Sequence, residues 1–143
     1  MTAETLAVIF DLEGTISAGS NPTPKISLRL CMTDFFYPIL LHELYGGHTH
    51  TSKAPSGTPT LIWELDGKHC EPILERIIPF LRIKKTQAKL ALAFTRSIKA
   101  RGVYSRWNPL PENILAKRLT LVRMINKLNL EGPIWTSEMI NLV

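Results

Sequence analysis

Apolar and polar residues follow two periods along the chain, one typical of helices and one typical of strands. In residues 3–13, Leu6, Ile9 and Phe10 recur at the spacing that lines one side of an α-helix. From Lys25 to Met32, polar side chains at odd positions alternate with apolar ones at even positions, which is the period of a half-buried strand. These patterns predict a helix and, after it, a strand with a polar outer face.

Turn-forming residues divide the chain into further elements. The segments 19–22 and 55–57 are rich in Gly, Pro, Ser and Asn, and each joins two short strands directly, so these strands should pair antiparallel. We predict strands at 15–20, 25–33, 48–53 and 59–66, and helices at 3–13, 34–45, 69–78, 85–101 and 111–129. The order α-β-β-α-β-β-α-α-α predicts an α+β fold, a four-stranded antiparallel sheet backed by helices.

Individual residues refine three of these elements. Gly14 is a natural stop for the first helix. Thr33 or Asp34 should cap the helix 34–45, and Pro38, which has no N–H, should delay the start of this helix or bend it. The alternation in strand 59–66 predicts one set of side chains facing the core (Leu61, Trp63 and Leu65) and one facing outward (Thr60, Ile62 and Glu64).

Length and composition predict one folded domain, residues 1–130, followed by a tail, 131–143, without a clear period. With two cysteines, Cys31 and Cys70, the chain has no disulfide framework, which favours a reducing compartment. No apolar run approaches the length of a membrane span, and the first residues lack the basic start of a targeting peptide. We therefore expect a soluble intracellular protein that makes no use of a membrane.

Charge is distributed unevenly. The net charge is +5. Residues 1–14 contain three acidic residues and no basic one, whereas residues 79–106 contain eight basic residues and no acidic one. An acidic spot on a basic body suits a protein that binds a polyanion and holds metal ions against it. A solvated basic helix face is the simpler alternative.

The segment Val8–Thr15, VIFDLEGT, is similar to motifs of two unrelated enzyme families. One is the haloacid dehalogenase-like phosphatases, in which a buried strand presents an aspartate nucleophile. That chemistry also needs a second acidic pair after a downstream strand, which is absent from this sequence, and a parallel sheet, whereas this chain predicts hairpins. The context therefore argues against a phosphatase.

The second resemblance, to the LAGLIDADG homing endonucleases, extends along the chain. Leu6–Gly14 matches the family motif, and a hairpin and the Thr33-Asp34 pair follow it. Gly46-Gly47, a strand with Trp63, and Pro79–Gln87 leading into a basic helix come next in the family's order. Residues 3–100 resemble the family, and 111–129 is similar to its usual C-terminal helix. The resemblance implies the family's unit, a saddle-shaped sheet with extra C-terminal helices.

The resemblance also implies a function and a metal site. Such enzymes, often intron-encoded, cut both strands of a long pseudo-palindromic DNA site as homodimers and leave staggered ends. It implies Glu13 as metal ligand with the backbone carbonyl of Leu12 beside it, Mg²⁺ as the ion with Mn²⁺ able to substitute, and no small-molecule cofactor. It further implies Lys84 near the scissile phosphate and Asp34 as an orderer of active-site water, although Asp34 is equally suited to cap a helix. The compartment would be a prokaryotic cytoplasm or a DNA-containing organelle.

The outward face of the sheet is expected to contact double-stranded DNA, because a two-stranded ribbon fits the major groove. The expected DNA-binding residues are Thr15, Ser17, Lys25, Ser27, Arg29, Cys31, His48, His50, Ser52, Lys53, Thr60 and Ile62. Arg29 is suited to guanine and Lys53 to phosphate. His48 and His50 also have the spacing of some zinc ligand pairs, but no second pair accompanies them.

The dimer interface implied by the resemblance comprises Ala7, Val8, Asp11 and Leu12. Val8 and Leu12 stand where the family usually has small residues that let two helices cross closely. Their bulk leaves two alternatives, an adapted interface in an active nuclease, or a non-cleaving DNA- or RNA-binding protein on the same scaffold, such as a splicing helper or regulator.

Overall fold

A computed structural model describes residues 1–99 and 109–131. The helices are α1 (Ala3–Leu12), α2 (Phe36–Tyr45), α3 (Glu71–Ile77), α4 (Lys85–Lys99) and α5 (Glu112–Glu131), and a 3₁₀ turn spans Gly67–Cys70. The strands are β1 (Gly14–Gly19), β2 (Lys25–Met32), β3 (His48–Lys53) and β4 (Pro59–Asp66). The predicted order of elements is confirmed. The end predicted for the fourth helix and the tail after residue 131 lie outside the described residues.

The four strands form one antiparallel sheet in the order β1-β2-β4-β3. Its inner face carries the even-numbered apolar residues of β2, and Trp63 and Leu65 of β4 join the same core. The outer face carries the polar set. One row on this face, Thr15–Arg29–Glu64–His48, crosses all four strands, because these residues are successive pairing partners.

Helix α1 packs its apolar stripe onto the inner face of the sheet. Leu6, Ala7 and Phe10 are buried, and the ring of Phe10 meets that of Trp63 edge to face with centroids 6.4 Å apart. Burying a side chain of this size contributes about 2–3 kcal/mol. The sheet and its helices thus hold the carboxyl end of α1 in a fixed place beside the start of β1.

The structure explains why glycine stands at two positions of the motifs, Gly14 and Gly47. A Cβ on Gly14 would lie 2.4 Å from a ring carbon of Phe10, so β1 starts too close to α1 for any side chain. Helix α1 ends at Leu12, before Gly14 as predicted, but the φ of Gly14 is not positive, so this glycine allows close packing and does not form a left-handed cap. Gly47 has a φ of 91°, and the neighbouring Gly46 carbonyl accepts a hydrogen bond from Trp63 Nε1 at 2.8 Å.

Helix α2 begins later than the predicted residue 34. It starts at Phe36, and Pro38 lies in its first turn, where an N–H would have no partner within the helix. Asp34 Oδ1 accepts a hydrogen bond from the Phe36 N–H at 2.9 Å. The prediction that Pro38 delays the start is confirmed. No helix among the described residues combines the length and apolar character needed to cross a membrane.

Candidate active site and nucleic-acid interface

The carboxyl end of α1 presents Glu13 to solvent. Thr2 caps the start of this helix by accepting from the Thr5 N–H, and the Glu13 N–H closes the last turn on Ile9 O at 2.8 Å. Glu13 and Leu12 are both exposed. Within 1–99 and 109–131, no hydrogen bond or ion pair occupies the Glu13 carboxylate. The chain therefore holds one carboxylate ready for a ligand at a rigid helix end.

The Asp11 carboxylate binds the segment that leads into α4. Its Oδ2 accepts from the Arg82 N–H at 2.8 Å, and its Oδ1 accepts from the N–H groups of Ile83 and Lys84 at 3.2 and 2.9 Å. These amides lie at the amino-terminal end of α4. N–H groups at such an end lack partners within the helix, and the helix dipole favours an anion there. Asp11 thus joins two elements that lie some seventy residues apart in the sequence.

Lys84 completes a reciprocal contact at the end of α1. Its Nζ donates to the carbonyls of Phe10, Asp11 and Gly14 at 2.9, 2.8 and 2.6 Å. An ammonium group has three N–H donors, so the described chain uses all of them. Burial lowers the pKa of Lys84 from its usual value, and the charges of Asp11 and Glu13 oppose that shift. Lys84 therefore lies close to Glu13, and its ammonium group is bound by backbone carbonyls.

The described residues of a single chain bring few possible metal ligands close together. Among the described residues there is no group of three His, Cys, Asp or Glu side chains placed to hold a metal ion. His48 and His50, which have the spacing of some zinc ligand pairs, are therefore not part of such a group. The carbonyl of Leu12 is not among those bound by Lys84. The carboxylate of Asp34 accepts from the first N–H of α2, at Phe36, and in the described part of the molecule no hydrogen bond joins it to Glu13 or Lys84.

The exposed side chains on the outer face of the sheet include most of the expected DNA-binding residues. Exposed are Thr15, Lys25, Cys31, His48, His50, Ser52 and Lys53, and half-buried are Ser17 and Arg29. Ser27, Thr60 and Ile62 lie on the outer face in the register, as expected, but are only 8%, 6% and 4% exposed. All three lie on the central strands β2 and β4, each of which has a neighbouring strand on both sides.

Glu64 is the residue of this face that the sequence reasoning left out of the expected contacts. It pairs with Arg29 across β2 and β4, and its Oε1 accepts a hydrogen bond from Ser27 Oγ at 3.0 Å. Arg29 Nε is buried and makes no hydrogen bond. The alternation of β4 predicted that Glu64 points outward, and this was the available signal.

One side of α1 remains uncovered in the single chain. Val8 is 56% exposed and Leu12 is 68% exposed, and both are apolar. The expectation that Ala7 contacts a second copy is wrong for this geometry, because Ala7 is fully buried in the core of its own chain. Asp11 is likewise engaged within its chain. The surface available on α1 is therefore centred on Val8 and Leu12.

The comparisons with known proteins find similarity to solved structures. No protein-family model and no curated protein matches the chain. The homing endonuclease I-CvuI, solved in complex with the I-CreI target in the presence of Mg with its DNA not cleaved, is 20% identical, with a TM-score of 0.68 over 97% of this chain and 89% of that one. The homing endonuclease I-TnaI is 13% identical, with a TM-score of 0.58 over 92% of this chain and 97% of that one.

The LAGLIDADG homing endonuclease I-SmaMI, solved bound to cleaved DNA, is 17% identical, with a TM-score of 0.67. The match covers 97% of this chain but 46% of the I-SmaMI chain. At these identities the similarity is one of fold, and it agrees with the motif order read from the sequence. The chain therefore has the fold of the LAGLIDADG homing endonucleases.

Proposed function

We propose that this chain is a metal-dependent DNA endonuclease that acts as a homodimer and makes a staggered double-strand break at a long pseudo-palindromic site. The observation that carries the proposal is the end of α1, where an exposed carboxylate, Glu13, adjoins an exposed apolar surface, Val8 and Leu12. Support comes from the fold, since I-CvuI and I-SmaMI were solved as complexes with DNA.

The proposed homodimer supplies a second reactive centre. Cutting two strands requires two such centres, and the described residues contain the motif helix once. I-SmaMI is about twice as long, and this chain matches less than half of it. Packing Val8 and Leu12 against the same residues of a partner would remove both from water and bring the two Glu13 carboxylates together.

The ligands at the end of α1 fit a hard divalent cation. Carboxylate and carbonyl oxygens, here from Glu13 and Leu12, are the donors that Mg²⁺ prefers, and Mn²⁺ accepts the same ligands. Two adjacent carboxylates repel each other unless cations lie between them. When bound, the metal would polarise the phosphate and lower the pKa of a water molecule. The described residues of one chain contain no group of three side-chain ligands, so the site would form between the two copies.

The neighbouring residues would hold this arrangement. Asp11 and Lys84 fix the end of α1 against the start of α4, which sets the direction of Glu13. Lys84 would place a positive charge beside the scissile phosphate, and contacting it directly would require exchanging one of its carbonyl partners. Asp34 would order water if its carboxylate can serve α2 and the site together.

A second candidate function is DNA binding without cleavage. It is favoured by the size of Val8 and Leu12, because bulky side chains keep two crossing helices apart and a shared metal site depends on their approach. Both candidates use the outer face of the sheet for DNA and differ only at the end of α1.

The test is selection of bound duplexes from a randomised library in Ca²⁺, followed by addition of Mg²⁺ to the bound pool. The nuclease predicts cutting of the selected duplex by the wild type, loss of cutting in Glu13→Gln, and retained cutting in Glu43→Gln, a matched change at an exposed acid of α2. Specific binding without cutting favours the second candidate. Absence of duplex binding at low salt rejects both, and a monomer in sedimentation with and without DNA rejects the homodimer.

A further inference from the structure

The row of residues that crosses the outer face of the sheet contains an acid at its centre. Glu64 lies between Arg29 and His48 in the register. A carboxylate repels DNA phosphates, so it is unfavourable on a DNA-binding surface unless it meets a hydrogen-bond donor on the bases. The donors in the major groove are the amino groups of cytosine and adenine. Glu64 therefore points to contact with a base edge.

The geometry around Glu64 separates it from Arg29 although the two are pairing partners. The Glu64 carboxylate is drawn toward Ser27, whose hydroxyl donates to it at 3.0 Å. Among the described residues the ion pair found is Arg96–Glu75, and Arg29 and Glu64 form none. Arg29 Nε is buried without a partner. A buried arginine N–H without an acceptor is unfavourable. Within 1–99 and 109–131, no hydrogen bond or ion pair involves the rest of the Arg29 guanidinium, so its terminal nitrogens keep donors for acceptors outside the chain.

Guanine and cytosine offer groups that complement Arg29 and Glu64, at a separation that matches that of the two side chains. The arginine fork fits the O6 and N7 acceptors of guanine, and a carboxylate accepts from the N4 amino group of cytosine. These two bases are neighbours within one base pair, and the side chains of directly paired strand residues start about 5 Å apart. We propose that Arg29 and Glu64 together read one G·C base pair in each half of the DNA site, with Ser27 positioning the carboxylate.

The inference rests on the proposed function, because it assumes that the outer face of the sheet enters the major groove. It adds the identity of one base pair and names the residues that choose it. Asp66 provides a control. It lies on the same face, pairs with Ser27 in the register and is exposed, so Asp66→Asn makes the same change of charge as Glu64→Gln.

The experiment compares duplexes selected in Ca²⁺ by the wild type, E64Q, D66N and E64D, each checked for folding by thermal unfolding. We expect the wild type to enrich one G·C pair symmetrically in both half-sites, with discrimination against A·T of about tenfold. E64Q and E64D should weaken this preference at that pair alone, because the contact of Arg29 with guanine remains while the contact with cytosine is lost. D66N should keep it. E64D keeps the charge but shortens the side chain, so it remains informative if E64Q fails to fold.

Two results would overturn the inference. If the wild type selects a specific site whose preferences are the same in E64Q and E64D, Glu64 does not read a base and the proposed function stands without it. If D66N weakens the same preference as E64Q does, surface charge rather than a base contact is responsible. A wild type that binds no duplex instead removes the proposed function itself, which distinguishes the two failures.

Discussion

The lysine at the end of α1 yields the sharpest prediction about stability. Lys84→Met removes the ammonium group and keeps an unbranched side chain of similar length. The carbonyls of Phe10, Asp11 and Gly14 each lose a charged donor that lies 2.6–2.9 Å away in the wild type. Lys84 is the residue that the motif resemblance connects with catalysis, so the variant also tests whether it has a structural role.

The expected loss follows from these contacts. Hydrogen bonds to charged groups contribute about 1.5–3 kcal/mol each, but such values are not additive. Water can reach the end of α1, where Leu12 and Glu13 are exposed, and will replace part of the loss. Burial also lowers the pKa of Lys84, which means that the buried charge itself is unfavourable and offsets part of the gain. We expect the free energy of unfolding to fall by about 2–4 kcal/mol.

The assay is urea unfolding at one fixed protein concentration, because the stability of a dimer depends on concentration. The matched control is Lys85→Met, which removes the same charge one residue further along. Lys85 Nζ makes a single, longer hydrogen bond, 3.3 Å to Pro79 O. The control should change the free energy of unfolding by less than about 0.5 kcal/mol. Equal, small losses in both variants would refute the structural role of Lys84.

Three further predictions concern the same helix end. Asp11→Asn should lower the free energy of unfolding by about 1–3 kcal/mol, measured in urea, because a neutral amide oxygen is a weaker acceptor for the N–H groups of Arg82, Ile83 and Lys84. Val8→Glu should give a monomer in sedimentation, since it would place two like charges at the proposed interface; a persistent dimer would contradict that interface. Glu13→Gln should lower the pKa of Lys84 further, observed by NMR of its Cε and Nζ, because the Glu13 charge opposes the effect of burial. A base whose pKa is lowered holds fewer protons in the folded than in the unfolded chain. The contribution of Lys84 to stability should therefore grow as pH rises from its lowered pKa toward 10.5, the usual value, and this pH window should widen in Glu13→Gln. An unchanged pKa of Lys84 would contradict the closeness of the two groups.

The sequence was sufficient for the elements and their order because these depend on local signals. Alternation between Lys25 and Met32 gave the two faces of β2, and Pro38 set the late start of α2. The direct turns between strands implied antiparallel hairpins, and the sheet has them. The order of the motifs along the chain implied, in addition, the fold of the LAGLIDADG homing endonucleases.

Contacts between distant segments were beyond sequence reasoning. The partners of Lys84 Nζ are carbonyls of residues 10, 11 and 14, and no local pattern indicates such a contact. The burial of Thr60 and Ile62 depends on which strands flank β4. Ala7 lies on the inner side of α1 because the sheet, rather than a second copy, covers that side.

The most direct test of the account is to map the cuts in both strands of the selected duplex, nucleotide by nucleotide, with Mg²⁺ present. The proposal predicts one cut in each strand, placed symmetrically about the centre of the site and staggered, and no cut by Glu13→Gln at equal binding in Ca²⁺. A duplex that is bound specifically but stays intact with Mg²⁺ or Mn²⁺, or that Glu13→Gln cuts as fast as the wild type, would contradict the role assigned to the end of α1.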